Sequence, residues 1–159
     1  MGTTSFEVHL GTTDITDLAE PGHIVLSTQN SLMHEQSNTI FVDNDLGIIF
    51  LPSSVTGPNI VPIRLPAYSQ VNETYVGQVG RASGWGLTSD DATQYSPLLK
   101  FVDLTVISDA VCKPFWAENS IHDGNFCVRT SLGYPKVFTR AAFYLDWFAN
   151  NAPGVTIRP

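Results

Sequence analysis

The first apolar positions of the chain alternate with polar ones. In Ser5-Phe-Glu-Val-His-Leu10, Phe6, Val8 and Leu10 share one face and Glu7 and His9 the other, the period-2 signature of a half-buried strand. Gly11 ends it. After Pro21-Gly22, His23-Ile-Val-Leu-Ser-Thr28 reads as a second strand. Gln29 to Thr39 is polar and loop-like. Phe41 to Pro52 is an apolar run with acids in its first half: Leu46, Ile48, Ile49, Phe50 and Leu51 demand a core, Asp43 and Asp45 do not. A carboxylate at the mouth of a buried strand must be hydrogen-bonded or paired, because desolvating it alone is costly. Asp45 is therefore either a structural acceptor for backbone N–H groups or the orienting acid of a catalytic site. Spacing alone favours the structural reading.

Pro58, Pro62 and Pro66 then fall within a span that forbids a regular ladder, so residues 53–75 read as an extended connector and the best boundary candidate. Val76 to Trp85 reads as a strand, with Gly84-Trp85-Gly86 letting an indole lie against close backbone. From Leu98 to Ile107 alternation returns, with Leu99, Phe101 and Val102 expected inward and Lys100 and Asp103 outward. Ser108 is a good N-cap for a short helix. Asn125–Thr130 and Lys136–Arg140 are short strands. Ala141 to Asn150 lacks Gly and Pro and is stopped by Pro153-Gly154, which predicts a C-terminal helix docking Tyr144, Trp147 and Phe148.

Composition narrows the class. At 159 residues, 43% hydrophobic and 14% charged, the chain is an ordered globular domain with a core. A net charge of −7 argues against nucleic-acid binding and against adsorption to anionic membranes, and no apolar run approaches a membrane span. Cys112 and Cys127 have neither C-x-x-C nor Cys/His spacing, so no metal is expected, and no cofactor motif occurs. A bridge between them would close a short loop and stabilise by roughly 3 kcal/mol, in an oxidising compartment. Asn72-Glu-Thr74 is a glycosylation sequon, usable on the same condition. Met1-Gly-Thr-Thr-Ser-Phe-Glu7 has neither a basic start nor an apolar h-region, so no signal peptide is expected here. The cysteines and the N-terminus disagree, and the expectation is an incomplete chain.

Hydrolytic chemistry needs a nucleophile, a base and a group to orient the base. No Gly-x-Ser-x-Gly elbow exists. Each of the four histidines, His9, His23, His34 and His122, reads as a surface histidine rather than a base. Residue types alone define a β-rich domain without a demonstrable active site.

The ordered segments resemble the chymotrypsin/trypsin-type serine endopeptidases, especially the insect digestive branch. Ser5-Phe-Glu-Val-His-Leu-Gly11 resembles a first-barrel strand following the catalytic histidine. Asn44-Asp-Leu-Gly-Ile-Ile-Phe-Leu-Pro52 resembles the segment carrying the catalytic aspartate, which falls on Asp45. Ile63-Arg-Leu-Pro66 resembles the inter-barrel linker, and Ala82-Ser-Gly-Trp-Gly86 a strand of the second barrel. Leu98 to Ile107 with Cys112 and Cys127 resembles the next strand, the intermediate helix and the disulfide behind them. Gly133-Tyr-Pro-Lys-Val-Phe-Thr-Arg140 and Tyr144-Leu-Asp-Trp-Phe148 resemble the last strand and terminal helix.

The departures concern function. The family's Thr-Ala-Ala-His-Cys, Gly-Asp-Ser-Gly-Gly-Pro and Ile-Val-Gly-Gly motifs have no counterpart here, and after Cys127 the chain passes through Val128-Arg-Thr-Ser-Leu-Gly133 directly to the last strand. The resemblance thus implies an all-β, incomplete trypsin-like double β-barrel with a short intermediate helix and a C-terminal helix. Its expected parts are a first-barrel remnant at 1–52, a connector at 53–75, a partial second barrel at 76–140, a helix at 141–152 and a tail at 153–159. Of the triad only Asp45 carries over, an orphan orienting acid, so an inactive family member is expected. Protein or peptide substrates and an extracellular setting follow from the family. Open sheet edges would favour a covering protein partner. The alternatives are a non-catalytic binding module and an enzyme completed by another chain.

Overall fold

The computed structural model describes residues 5–38, 43–89, 91–131 and 133–159. Among these the strands are β1 (Phe6–Leu10), β2 (Ile24–Thr28), β3 (Ser31–Met33), β4 (Gly47–Ile49), β5 (Val79–Gly84), β6 (Lys100–Ile107), β7 (Asn125–Arg129) and β8 (Lys136–Thr139). A short helix α1 (Asp109–Cys112) follows β6, and α2 (Leu145–Asn151) follows a 3₁₀ turn at Ala141–Tyr144. β1 pairs with β2, β3 with β4, and the remaining strands form a sheet in the order β5-β6-β7-β8.

The chain makes two compact units: Met1–Leu32 with Ile48–Ile63 and Arg81–Val102, and Met33–Gly47 with Arg64–Gly80 and Asp103–Pro159. In the first, β1 and β2 run antiparallel with Phe6 opposite Thr28 and Leu10 opposite Ile24. Gly11 ends β1 for a steric reason. Its φ is +71°, and a Cβ there would sit 2.4 Å from the Gly22 carbonyl oxygen. Leu99 N–H donates to Thr13 O at 2.7 Å and Ile15 N–H to Pro97 O at 3.0 Å, fastening the segment before β6 to the loop after β1. No apolar side chain is buried among the described residues of this unit; Thr12 is its one buried residue.

The second unit holds the core. Ile107, Cys112, Ile121 and Cys127 form a buried cluster against which Val137 packs. Cys112 and Cys127 are joined as a disulfide. Tyr144, Leu145 and Trp147 are also buried, so α2 docks through the predicted aromatic face. β7 and β8 pair with Asn125 opposite Thr139 and Val128 opposite Lys136.

Several expectations are corrected. The segment expected to be a loop from Gln29 contains β3, a three-residue strand whose side chains are all exposed and so carry no hydrophobic period. Of the stretch from Phe41 to Pro52, Phe41 and Val42 lie outside the described residues, and the rest is not a buried strand: only Gly47–Ile49 is extended in a ladder, and Ile49 and Leu51 are exposed. Leu99, Phe101 and Val102 do not point into a core; Phe101 is 64% exposed. Alternation identifies the side chains that share a face but not whether anything covers it. β6 is buried only at Val106 and Ile107, in the half that pairs with β7. Phe101 instead carries the Arg81 guanidinium 4.2 Å above its ring, a cation–π contact. The Trp85 indole does meet backbone, its Nε1 donating to Thr13 O at 3.3 Å, but at Gly84 and Gly86 nothing lies within 4 Å of a built Cβ, so that approach does not require glycine there. Ser108 precedes α1 in extended geometry, but its hydroxyl makes no cap; its carbonyl accepts from Val111 and Cys112 instead.

Candidate active site

The second unit gathers the acids of the 43–45 segment, His34, His122 and the aromatic residues around α2. Asp43 is half-buried and accepts from His122 Nε2 at 2.9 Å. On the other side of that ring, Gly124 N–H donates to Nδ1 at 3.0 Å. A backbone N–H can only donate, so Nδ1 is the lone-pair nitrogen and Nε2 carries the proton given to Asp43. Both nitrogens are thereby occupied. A triad base instead takes its orienting acid on the Nδ1 side and keeps Nε2 free for the nucleophile. His122 therefore holds a loop, and it holds it tightly: a Cβ on Gly124 would fall 2.6 Å from the Tyr144 hydroxyl and 2.8 Å from His122 Cε1.

Asn44, at φ 51°, aims its side chain into the same cluster. Its Oδ1 accepts from Tyr144 OH at 3.1 Å, and its Nδ2 donates to Gln36 O at 3.0 Å. Burial, with the negative charge of Asp43 adding to it, pushes the Tyr144 phenol above its ordinary range. Asp45, one residue on, is exposed. Its backbone carbonyl accepts from Thr139 Oγ1 at 3.0 Å, and its carboxylate makes no hydrogen bond among the described residues. The carboxylate expected at the mouth of a buried strand thus meets solvent, and the neighbouring Asp43 is the acid that finds a partner.

His34 and His122 depart from the surface reading. His34 is 8% exposed, with its ring 5.3 Å from Trp147 and 5.6 Å from Tyr144, and its Nδ1 accepts from Gln36 N–H. Trp147 Nε1 donates to Glu35 at 2.9 Å. Glu35's own backbone N–H, then the indole, hold that carboxyl below its ordinary value. The contacts of His34 and Glu35 with Tyr144 and Trp147 join residues more than a hundred positions apart, and no local pattern signals them. His9 and His23 belong to the first unit, with His9 Nδ1 2.9 Å from His23 Nε2. All four histidines and every serine lie among the described residues, and no serine hydroxyl there is hydrogen-bonded to an imidazole.

Asn72 is exposed, on the rim of a cavity of about 540 Å³ that Arg140, Asp109, Asp123, Phe126 and Phe143 also line. Arg140 is spent on structure, donating to the backbone carbonyls of Glu73 and Asn125.

A trypsin family model matches residues 2–138. The chain is 27% identical to brachyurin of Leptuca pugilator across 86% of its own length and 73% of that protein's. It is also 27% identical to serine protease 1 of Drosophila melanogaster, across 76% of this chain and 57% of that one. Against trypsin-1 of Astacus astacus the identity is 26%, over 80% and 68% of the two lengths. The chain therefore spans about three-fifths to three-quarters of the length of these relatives. Among solved structures, that of GrC matches with a TM-score of 0.81 at 21% identity, covering 92% of this chain and 77% of that one. HL collagenase matches with a TM-score of 0.81 at 20% identity, covering 96% and 78%. The chain belongs to the trypsin family of serine proteases, and its fold is the trypsin-like, strand-dominated one.

Proposed function

We propose that this chain is a chymotrypsin-like serine endopeptidase by descent that performs no peptide hydrolysis of its own. The occupied ring of His122 carries this reading. It is the imidazole nearest to a catalytic arrangement, and its two nitrogens are taken by Asp43 and the Gly124 amide. Asp45 keeps the place of the family's orienting acid with nothing to orient, and its exposure agrees with that. By relation to its family the chain's ancestral substrates are proteins or peptides and its setting is extracellular. The Cys112–Cys127 bridge and the exposed sequon asparagine Asn72 fit that setting.

A second reading, a non-catalytic protein-binding module, is favoured by one observation. β5 and β8 are the edges of the four-stranded sheet, and Phe138 within β8, Tyr134 just before it and Phe115, whose ring meets that of Tyr134, are exposed. Unpaired edges flanked by apolar side chains invite a partner.

The test is incubation of the purified chain with a chromogenic peptide ester and, separately, with a fluorophosphonate probe. The expected result is hydrolysis no faster than buffer and no labelled serine. One stoichiometrically labelled serine, with hydrolysis abolished in step, overturns the proposal.

A further inference from the structure

Two imidazoles of the first unit face one another. His9 Nδ1 and His23 Nε2 are 2.9 Å apart, their ring centroids 5.1 Å apart and their planes inclined at 45°. The outer nitrogens are both committed. His9 Nε2 lies 2.8 Å from Glu7 Oε1, and His23 Nδ1 lies 2.7 Å from the Asp17 carbonyl oxygen. An ionised carboxylate and a carbonyl only accept, so each outer nitrogen carries its ring's proton. Two neutral imidazoles then have no proton left. Their inner nitrogens present two lone pairs to one another at hydrogen-bonding distance, which is repulsive unless a cation lies between them.

We propose that His9 Nδ1 and His23 Nε2 are the two protein ligands of a divalent metal site of the zinc class. The outer bonds are those that metal-bound histidines make: the far N–H donates to a carboxylate or a backbone carbonyl, fixing the tautomer and turning the ligating nitrogen inward. Here one ring has each kind of acceptor. Zinc–nitrogen bonds of about 2.0–2.1 Å at a tetrahedral angle put two ligand nitrogens about 3.3 Å apart. The rings need to separate by a few tenths of an ångström and to turn so that their lone pairs, now nearly head-on, converge on one ion. The strands support the pair: Glu7 and His9 share one face of β1, and His23 immediately precedes β2, the strand hydrogen-bonded to β1.

Among the described residues no third His, Cys, Asp or Glu completes a cluster. The remaining coordination positions therefore fall to water or to an added ligand, which leaves an open site. Access suits this, since the His9 side chain is 15% exposed. The charge of the segment also suits a cation, because Ser5–Leu32 carries Glu7, Asp14, Asp17 and Glu20 and neither lysine nor arginine, the unit's Arg81 and Lys100 lying in its Arg81–Val102 segment. The competing occupant is a proton shared between the rings.

Titration of the full chain with zinc chloride by calorimetry, paired with ¹⁵N spectra of the imidazole rings, separates the two. The expected result is one zinc ion per chain, with the ring nitrogens of His9 and His23 moving on saturation and those of His34 and His122 still. His9→Gln and His23→Gln should each weaken binding at least tenfold, and Glu7→Ala about tenfold through loss of the outer acceptor. The wild-type ring spectra decide the matter even where a variant folds poorly. No saturable binding by the folded chain, or saturation that leaves the His9 and His23 nitrogens unmoved, assigns the gap to a proton and overturns the proposal.

Discussion

Glu20 organises a whole loop with one side chain. Its carboxylate accepts from the hydroxyls of Thr12 and Thr13 and from the backbone N–H groups of Thr13 and Asp14. Those bonds, the Thr12 hydroxyl first, lower its pKa from 4.5 to about 2. The sign follows by linkage. A carboxylate with a depressed folded-state pKa binds fewer protons folded than unfolded, so its contribution is complete above about pH 4.5 and is lost as pH falls towards about 2. Glu20→Gln removes the charge that those donors face. Thermal melts across pH should show wild type above the variant by a constant margin at pH 5–7, and the margin should close between about pH 4.5 and 2. A margin independent of pH would mean that the carboxylate titrates alike in the folded and unfolded chain, so that the loop does not hold it in its charged form.

None of this was legible in the sequence, where Glu20 sits in an unremarked turn. The same is true of His122, 79 positions from its partner Asp43, and of His34 beneath Trp147. A histidine's role is set by what meets each ring nitrogen, and that is a tertiary fact. The family resemblance picked out Asp45 by its place in a motif, a matter of position along the chain, whereas the bond between Asp43 and His122 is a matter of tertiary contact that no motif marks.

The strands and helices were more legible, because period and punctuation are local. β1, β2, β7 and β8 lie where alternation and Gly11 put them, within a residue or two, while α2 ends before Pro153-Gly154 as expected but starts at Leu145, four residues late, because Ala141–Tyr144 forms a 3₁₀ turn. The failures share a cause. β3 is short and wholly exposed, and Phe101 alternates on a face without cover, so each lacked the one signal that burial imprints. The disulfide ties α1 to β7, with 15 residues of separation and both cysteines fully buried in the core cluster. Loop closure of that length is worth about 3 kcal/mol in the chain-entropy model. The double variant Cys112→Ala/Cys127→Ala should lose about that much in urea unfolding followed by tryptophan fluorescence. A loss below about 1 kcal/mol would place the stability of this region in the packing of Ile107 and Ile121 rather than in the bridge.

Across the molecule, the buried apolar side chains from Ala67 to Trp147 all belong to the second unit. The first is held by strand ladders, the Glu20 clip and the backbone bonds of Thr13 and Ile15. Net hydrogen-bond contributions are modest, about 1 kcal/mol each, because folding exchanges them for bonds to water. Burial of apolar surface is the larger stabilising term, and only the second unit buries apolar side chains outright, whereas Phe6, Val8, Leu10, Ile24 and Leu26 of the first are half-buried. Composition could not reveal this. The chain is 43% hydrophobic as a whole, but exposed Val61, Ile63 and Phe101 lie in the first unit's segments or at their ends. Local opening should therefore be cheaper in the first unit. In native-state hydrogen exchange the amides of β7 and α2 should be protected at least tenfold more than those of β1 and β2, a gap of about 1.4 kcal/mol or more in opening free energy. Saturating zinc chloride should narrow the gap by slowing β1 and β2 alone, since a ligand that binds only the closed hairpin stabilises only that hairpin. Equal protection of the two units in the metal-free chain would show that apolar burial is not what sets their stabilities apart.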